Sequence, residues 1–309
     1  MDPLSRRAFI GRSVAALGAA SGLPAALARA ESAGAVATRP SPQEAESSVA
    51  RRPRAHDTVV LGKTGIRPSR LSMGTGTRSG SEQRALGVDG FVKLLHYGLD
   101  QGICWWDAAD MYKTHPHLRA ALKEIRRDRV VITSKTSAKD AAGVRADIER
   151  FRKELDSDYI DIVLLHCMTD GKWPEKMRGA MDALSEAKEK QHVRAVGCSC
   201  HTFEALQAAA DEPWVEVDLA RINPFGKIMD VNKAEDVPRV IEVLETMYRR
   251  GKAIYGMKIL GEGAFKGEQI DRSLQFVLSK PFVSGFTIGF SSREQIDDIV
   301  RRIERVAVA

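Results

Sequence analysis

Apolar residues along this chain alternate between two periods. From residue 70 to 290 short β-rich runs recur, each followed by a longer segment with helical spacing. The runs are RLSM (70–73), ICWW (103–106), RVVITS (129–134), IDIVLL (160–165), VRAVG (193–197), VDLARI (217–222), AIYGM (253–257) and GFTI (285–288). The spacing between them predicts helices over 138–155, 175–190, 203–211, 234–250, 269–279 and 293–306. Eight strand–helix alternations predict a parallel sheet, because parallel neighbours need crossover connections. Eight within about 250 residues favour a closed (β/α)8 TIM barrel of the α/β class over an open doubly wound sheet. No G-x-G-x-x-G follows any of the runs, which counts against the open dinucleotide fold. Ahead of the first run, TVVLGKTGIRPS carries Lys63-Thr64-Gly65 between two β-like stretches. It predicts an N-terminal β-hairpin that would plug the barrel floor.

The pattern fails at the N-terminus, and there composition changes the picture. Residues 1–30 open with Ser5-Arg6-Arg7, continue as an Ala/Gly-rich apolar run and close on Ala28-Arg29-Ala30. Paired arginines, a modest apolar core and an A-x-A site read as a twin-arginine export signal. The alternatives are an amphipathic helix or an anchor that is never cut. The apolar run is shorter than the roughly 20 residues that span a bilayer, so no stable membrane span is expected after cleavage. The implied partner is the twin-arginine export machinery, and the implied location is the bacterial periplasm. Residues 31–57 are polar, carry three prolines and lack a period, so a disordered linker is expected there. The barrel is then residues 58–309. The 309-residue chain has 47 Lys and Arg against 41 Asp and Glu, a net +6. Removing residues 1–30 takes away Arg6, Arg7, Arg12, Arg29 and Asp2 and leaves +3. With the other basic clusters scattered, no nucleic-acid partner is expected. Four cysteines are too few for a disulfide scaffold.

In a barrel of this type chemistry gathers at the C-terminal strand ends. Those positions hold Asp107 and Tyr112 after the second strand, Lys135 on the third and His166 on the fourth. Read singly, each has an ordinary structural role, such as a helix cap or a solvated cation. Together they make a tuned proton donor. A phenol gives up its proton poorly at neutral pH, an ammonium nearby favours the phenolate, and a buried ammonium needs a carboxylate. An imidazole beside the phenol can hold a carbonyl oxygen in place while the carbon receives a hydride.

The motifs WWDAADMY, ITSKT and YIDIVLLH resemble, in order and spacing, those of the aldo-keto reductase superfamily, and the resemblance covers 58–309. It implies NAD(P)H-dependent reduction of aldehydes or ketones, with a small carbonyl compound as substrate. Tyr112 would be the general acid, tuned by Lys135 and Asp107, and His166 would orient the carbonyl. LSMGTG is similar to the family's Gly-Thr pair, which places Gly74 and Thr75 under the nicotinamide. Ser199 and Cys200 stand for the family's Ser-Asn, and Asn223, after the sixth strand, is expected to join them in binding the cofactor. Met257 stands where an aromatic often stacks on the ring. GFSSREQIDDI resembles the segment that holds phosphate and adenine, giving Gly289, Ser291, Ser292, Gln295 and Asp298. Arg293, with Lys258 second, would clamp a 2′-phosphate, so NADP is preferred and NAD is the alternative.

Several positions depart from the family pattern. Lys113-Thr114-His115-Pro116-His117 follows the tyrosine and would form the active-site rim, with Trp106, Trp173 and Phe225 as rim aromatics. The connecting loops look short and no long tail follows the last helix, so an open pocket is expected. His115 with His117, and Cys198-x-Cys200-His201, are too sparse to predict a metal site. A catalytically slow NADP(H)-binding sensor on the same barrel is the second reading. A hydrolase or isomerase would need paired carboxylates or a metal set at the strand ends, and apart from Asp107 and Asp110 none is evident.

Overall fold

The computed structural model describes residues 52–307, so the twin-arginine segment and most of the linker lie outside the described residues. Eight parallel strands close into a barrel in sequence order. They are β1 (Leu71–Gly74), β2 (Trp105–Asp107), β3 (Val131–Thr136), β4 (Ile160–Met168), β5 (Val193–Cys200), β6 (Val217–Arg221), β7 (Ala253–Met257) and β8 (Val283–Gly289). The outer helices are α1 (Gly87–Asp100), α2 (His115–Leu122), α3 (Ala141–Leu155), α4 (Arg178–Glu189), α5 (Phe203–Asp211), α6 (Val237–Arg249), α7 (Glu268–Leu278) and α8 (Arg293–Arg305). This is the (β/α)8 architecture that the alternation predicts. The sequence pattern predicts the last six of these helices. It does not name α1 or α2, which leave β1 and β2.

Side-chain alternation sorts the strands into two cores. Trp105, Ile162, Leu164, Ala195, Val217, Leu219, Tyr255 and Met257 fill the barrel lumen. Their neighbours Trp106, Ile132, Val163, Val196, Cys198, Ala220 and Ile254 pack outward against the helices. The helices present matching apolar stripes, such as Ile296, Ile299 and Ile303 on α8. Trp106 and Trp173, expected at the rim, are both buried in this outer core instead.

The N-terminal segment folds back as a hairpin, with Leu61 N–H donating to Ile66 O at 3.1 Å and Val59 N–H to Pro68 O at 2.9 Å. Val59, Leu61 and Ile66 join the lumen core and close its floor, each burial contributing about 1.5–3 kcal/mol. Gly62 turns this corner at φ +50°, and a Cβ there would stand 2.7 Å from Gly251 O. Both the left-handed backbone and the close approach require glycine. The fold starts earlier than residue 58: Ala55 is buried, and its carbonyl accepts from Leu71 N–H at 2.9 Å. Residues 52–57 therefore belong to the barrel, because they cap the start of β1. Among the described residues no helix is long and apolar enough to cross a membrane.

Candidate active site

Register decides what meets at the barrel mouth. Gly74 pairs with Asp107 and Asp107 with Thr133, so the ends of β1, β2 and β3 lie side by side. Asp107 and Lys135 both occupy lumen-facing positions. Lys135 Nζ donates to Asp107 Oδ1 at 2.8 Å, to Asp107 Oδ2 at 2.9 Å and to Ala108 O at 2.7 Å. These three acceptors use all three ammonium protons. From across the barrel Tyr255 donates its hydroxyl to Asp107 Oδ1 at 3.0 Å. Tyr255 was not anticipated; its lumen-facing place on β7 was the available signal. Burial works to lower the Lys135 pKa, against the opposing pull of Asp107.

Tyr112 rides on a single 3-10 turn, Asp110–Tyr112, between β2 and α2. The turn is held by Asp110, which accepts from Lys113 at 3.1 Å and Arg150 at 2.8 Å. The ring lies under Lys135 Nζ, 5.0 Å from its centroid, and meets His166 edge-on at 5.7 Å. Gly76 passes directly over it, since a Cβ there would fall 2.5 Å from Tyr112 Cζ. Burial, and next the Asp107 charge, push the phenol well above its ordinary pKa. The Lys135 ammonium is meanwhile held by Asp107 and the Ala108 carbonyl. The phenol therefore keeps its proton throughout the neutral range.

His166 leaves β4 at a bulge between Leu165 and Met168, where Cys167 takes φ 65°. Such bulges re-aim a side chain at a strand end. Burial first, then the charges of Lys135, His201 and Lys258, hold His166 down to about 3. Burial and Arg221 hold the nearby His201 at about 4. Both rings are neutral at pH 7, and His166 Nδ1 is buried without a partner among the described residues.

A folded-state pKa below the unfolded value of about 6.5 carries a sign. The stabilising difference is present above that value and is lost as pH falls through it toward the folded pKa. Moving from pH 7 to 5 is expected to cost at most about 2 kcal/mol for each ring. Urea unfolding at both pH values checks this. A double His166→Gln, His201→Gln variant with the same pH dependence would assign the loss to other groups.

A cleft of about 470 Å³ leads away from Tyr112. Its walls include Gly74, Asp107, Tyr112, Met257, Lys258, Gly289, Gln295 and Asp298 among the sequence-predicted residues. Arg78, Phe265, Lys266 and Thr287 line it too and were not foreseen, because they lie on loops or at a mid-strand position without a motif. Other predicted residues stand behind the wall. Thr75 is buried and bonds Thr114 at 2.7 Å, and Ser199 Oγ accepts from Cys167 N–H at 2.9 Å. Asn223 ties its own loop by accepting from Phe225 N–H at 3.0 Å and donating to Lys227 O at 2.8 Å. At the far end Ser292 caps α8, and Ser291 N–H and Oγ–H donate to Gln295 Oε1 at 2.8 and 3.2 Å.

Three of the sequence-predicted residues lie away from the cleft wall. The Cys200 side chain points outward into the helix layer, because Ser199 takes the lumen position. Arg293, exposed in the first turn of α8, lays its guanidinium over the Tyr97 ring at 4.9 Å, a cation–π contact. His115 is buried off the rim, between Glu154 at 2.7 Å and Ser134 at 2.8 Å. Phe225 keeps a half-buried place, edge-on to Phe265 with the ring centroids 4.7 Å apart.

The residues fit a nicotinamide nucleotide. Gly74 and Gly289 leave a strip free of side chains, and Cβ atoms there would meet Thr287 Oγ1 at 2.8 Å and Thr77 Oγ1 at 2.0 Å. Thr287 Oγ1 is buried without a partner among the described residues, and the Met257 thioether lies alongside.

Known proteins agree with this architecture. The chain is 25% identical over 163 residues to the aldo-keto reductase YhdN of Bacillus subtilis, covering 47% of each. It is 22% identical over 176 residues to aldo-keto reductase family 1 member C21 of Mus musculus, covering 47% of this chain and 54% of that one. The matched segments thus span about half the length of these curated relatives. In fold, the chain resembles an aldo-keto reductase from Pseudomonas aeruginosa at TM-score 0.67 and 24% identity, covering 82% of this chain and 98% of that one. It resembles AKR11C1 from Bacillus halodurans in its holo form at TM-score 0.69 and 16% identity, covering 82% and 93%. The Aldo/keto reductase family profile matches residues 70–273, which include β1 to β7 and all four residues gathered at Tyr112. With that match over more than half its length, the chain belongs to the aldo/keto reductase family.

Proposed function

We propose that this protein reduces aldehydes or ketones with NADPH. The observation that carries the reading is the place of Tyr112 at one end of the cleft, its ring 5.0 Å from Lys135 Nζ and edge-on to His166 at 5.7 Å. Bound nicotinamide supplies the hydride. Tyr112 holds the proton for the carbonyl oxygen, and His166 orients that oxygen by a hydrogen bond. Lys135 and Asp107 fix the electrostatic surroundings of the phenol. NADP over NAD rests on Lys266. Arg78 and Lys258 in the same cleft already face Glu82 and Glu262, whereas Lys266 has no ion pair among the described residues.

The segment Ser5-Arg6-Arg7 to Ala30 supports export by the twin-arginine route, with the mature enzyme working in the periplasm. Native mass spectrometry of protein from the periplasmic fraction tests these readings together. A mass that starts after Ala30 and retained NADP(H) are expected. Consumption of NADPH should follow with a panel of aldehydes. Lys266→Ala is expected to weaken NADPH about five-fold and leave NADH unchanged, the worth of one exposed charge pair. Tight binding without turnover on any carbonyl would favour a sensor role.

A further inference from the structure

The cluster behind β5 and β6 lies outside the cleft. Cys198 pairs directly with Asp218 across the two strands, and Cys200 follows two residues on, so all three side chains leave the same outer face of the barrel. The sulfurs stand 3.8 Å apart, and Asp218 Oδ1 lies 3.5 Å from Cys198 Sγ and 3.7 Å from Cys200 Sγ. All three residues are fully buried. The other carboxylate oxygen, Asp218 Oδ2, is buried there without a partner among the described residues, and so is Oδ2 of neighbouring Asp230. A carboxylate sealed from water with a lone oxygen is costly unless a cation or donor meets it.

The spacing suits one such cation. With Zn–S at about 2.3 Å and Zn–O at about 2.0 Å, a tetrahedral zinc sets ligand atoms about 3.8 Å apart for S–S and about 3.5 Å apart for S–O. The three observed distances fall on those edges to within about 0.2 Å. We propose that Cys198, Cys200 and Asp218 form a structural zinc site that staples β5 to β6, with a water in the fourth position. The ion displaces both thiol protons on binding. Two thiolates and one carboxylate then leave a net single negative charge, and the charge of Lys252, the residue before β7, acts on the cluster while its ammonium donates to Val215 O at 3.2 Å. The site is closed, so the ion enters as the barrel folds. Its consequence reaches the mouth, since Ser199 sits between the two ligands and faces the opposite way.

The test uses the full chain purified without chelator. About one zinc per chain is expected by inductively coupled plasma mass spectrometry, as for a structural site. Refolding the stripped protein with Co²⁺ alone should produce the thiolate-to-cobalt charge-transfer band of a tetrahedral site. Cys198→Ser and Asp218→Asn should each lower zinc affinity about 10-fold or more, while circular dichroism keeps the barrel signature. If either variant does not fold, the cobalt spectrum of the wild-type chain decides. No zinc after refolding with excess zinc would overturn the proposal. So would copper in its place, zinc retained undiminished by both variants, or an intact mass showing a Cys198–Cys200 disulfide.

Discussion

Tyr112→Phe is expected to slow carbonyl reduction about 10²- to 10⁴-fold, the usual worth of a positioned proton donor. Nucleotide affinity should stay within about two-fold, since the change removes one hydroxyl and no packing. The phenylalanine ring keeps the edge contact with His166, the place under Lys135 and the close passage of Gly76. What disappears is the proton that burial and Asp107 hold on the phenol. The raised pKa also has a sign. The donor form persists as pH rises past the ordinary tyrosine range, so loss of the phenol proton should not make the wild-type rate fall between pH 7 and 9. Steady-state kinetics and nucleotide titration on both proteins provide the comparison. Equal turnover would remove Tyr112 from the mechanism.

Lys135→Met is expected to destabilise the fold by about 3–5 kcal/mol, because it strands the Asp107 carboxylate in the lumen. Tyr255 would remain as a single donor where three hydrogen-bonding arms had converged. For a barrel of this size the loss corresponds to a fall in Tm of about 6–20 °C. Removing both charges together should cost much less. A Lys135→Met, Asp107→Leu double variant leaves no buried charge unpaired, and such replacements are often near neutral for stability. Reduction should nevertheless be lost in both, since the phenol then lacks its electrostatic partners. Calorimetry on the single and double variants separates these effects. A single variant within about 1 kcal/mol of wild type would mean that water already reaches the pair.

The barrel was legible because its signals are local. Eight short apolar runs and six helical spacings are each readable without their partners. Helix α5 is found at residues 203–211, the span its spacing predicts, while α1 and α2 were not named. Strand-end logic and the family resemblance together selected Asp107, Tyr112, Lys135 and His166, and the barrel brings those four to one mouth. The phenol's raised pKa was not legible. It depends first on how deeply the folded barrel buries the ring and then on the Asp107 charge beside it, neither of which is a local property of the sequence.

Facing was the other hidden quantity. Cys200 and Arg293 follow the right motifs, yet one turns into the helix layer and the other onto Tyr97. Cys198-x-Cys200 was too sparse to suggest a metal because its third partner, Asp218, arrives from the next strand. Local pattern thus decided the elements, their order and the residues offered at each strand end. Barrel closure decided which of those residues meet, because register and strand parity bring together groups 20 to 150 positions apart, as they do Tyr255 and Asp107.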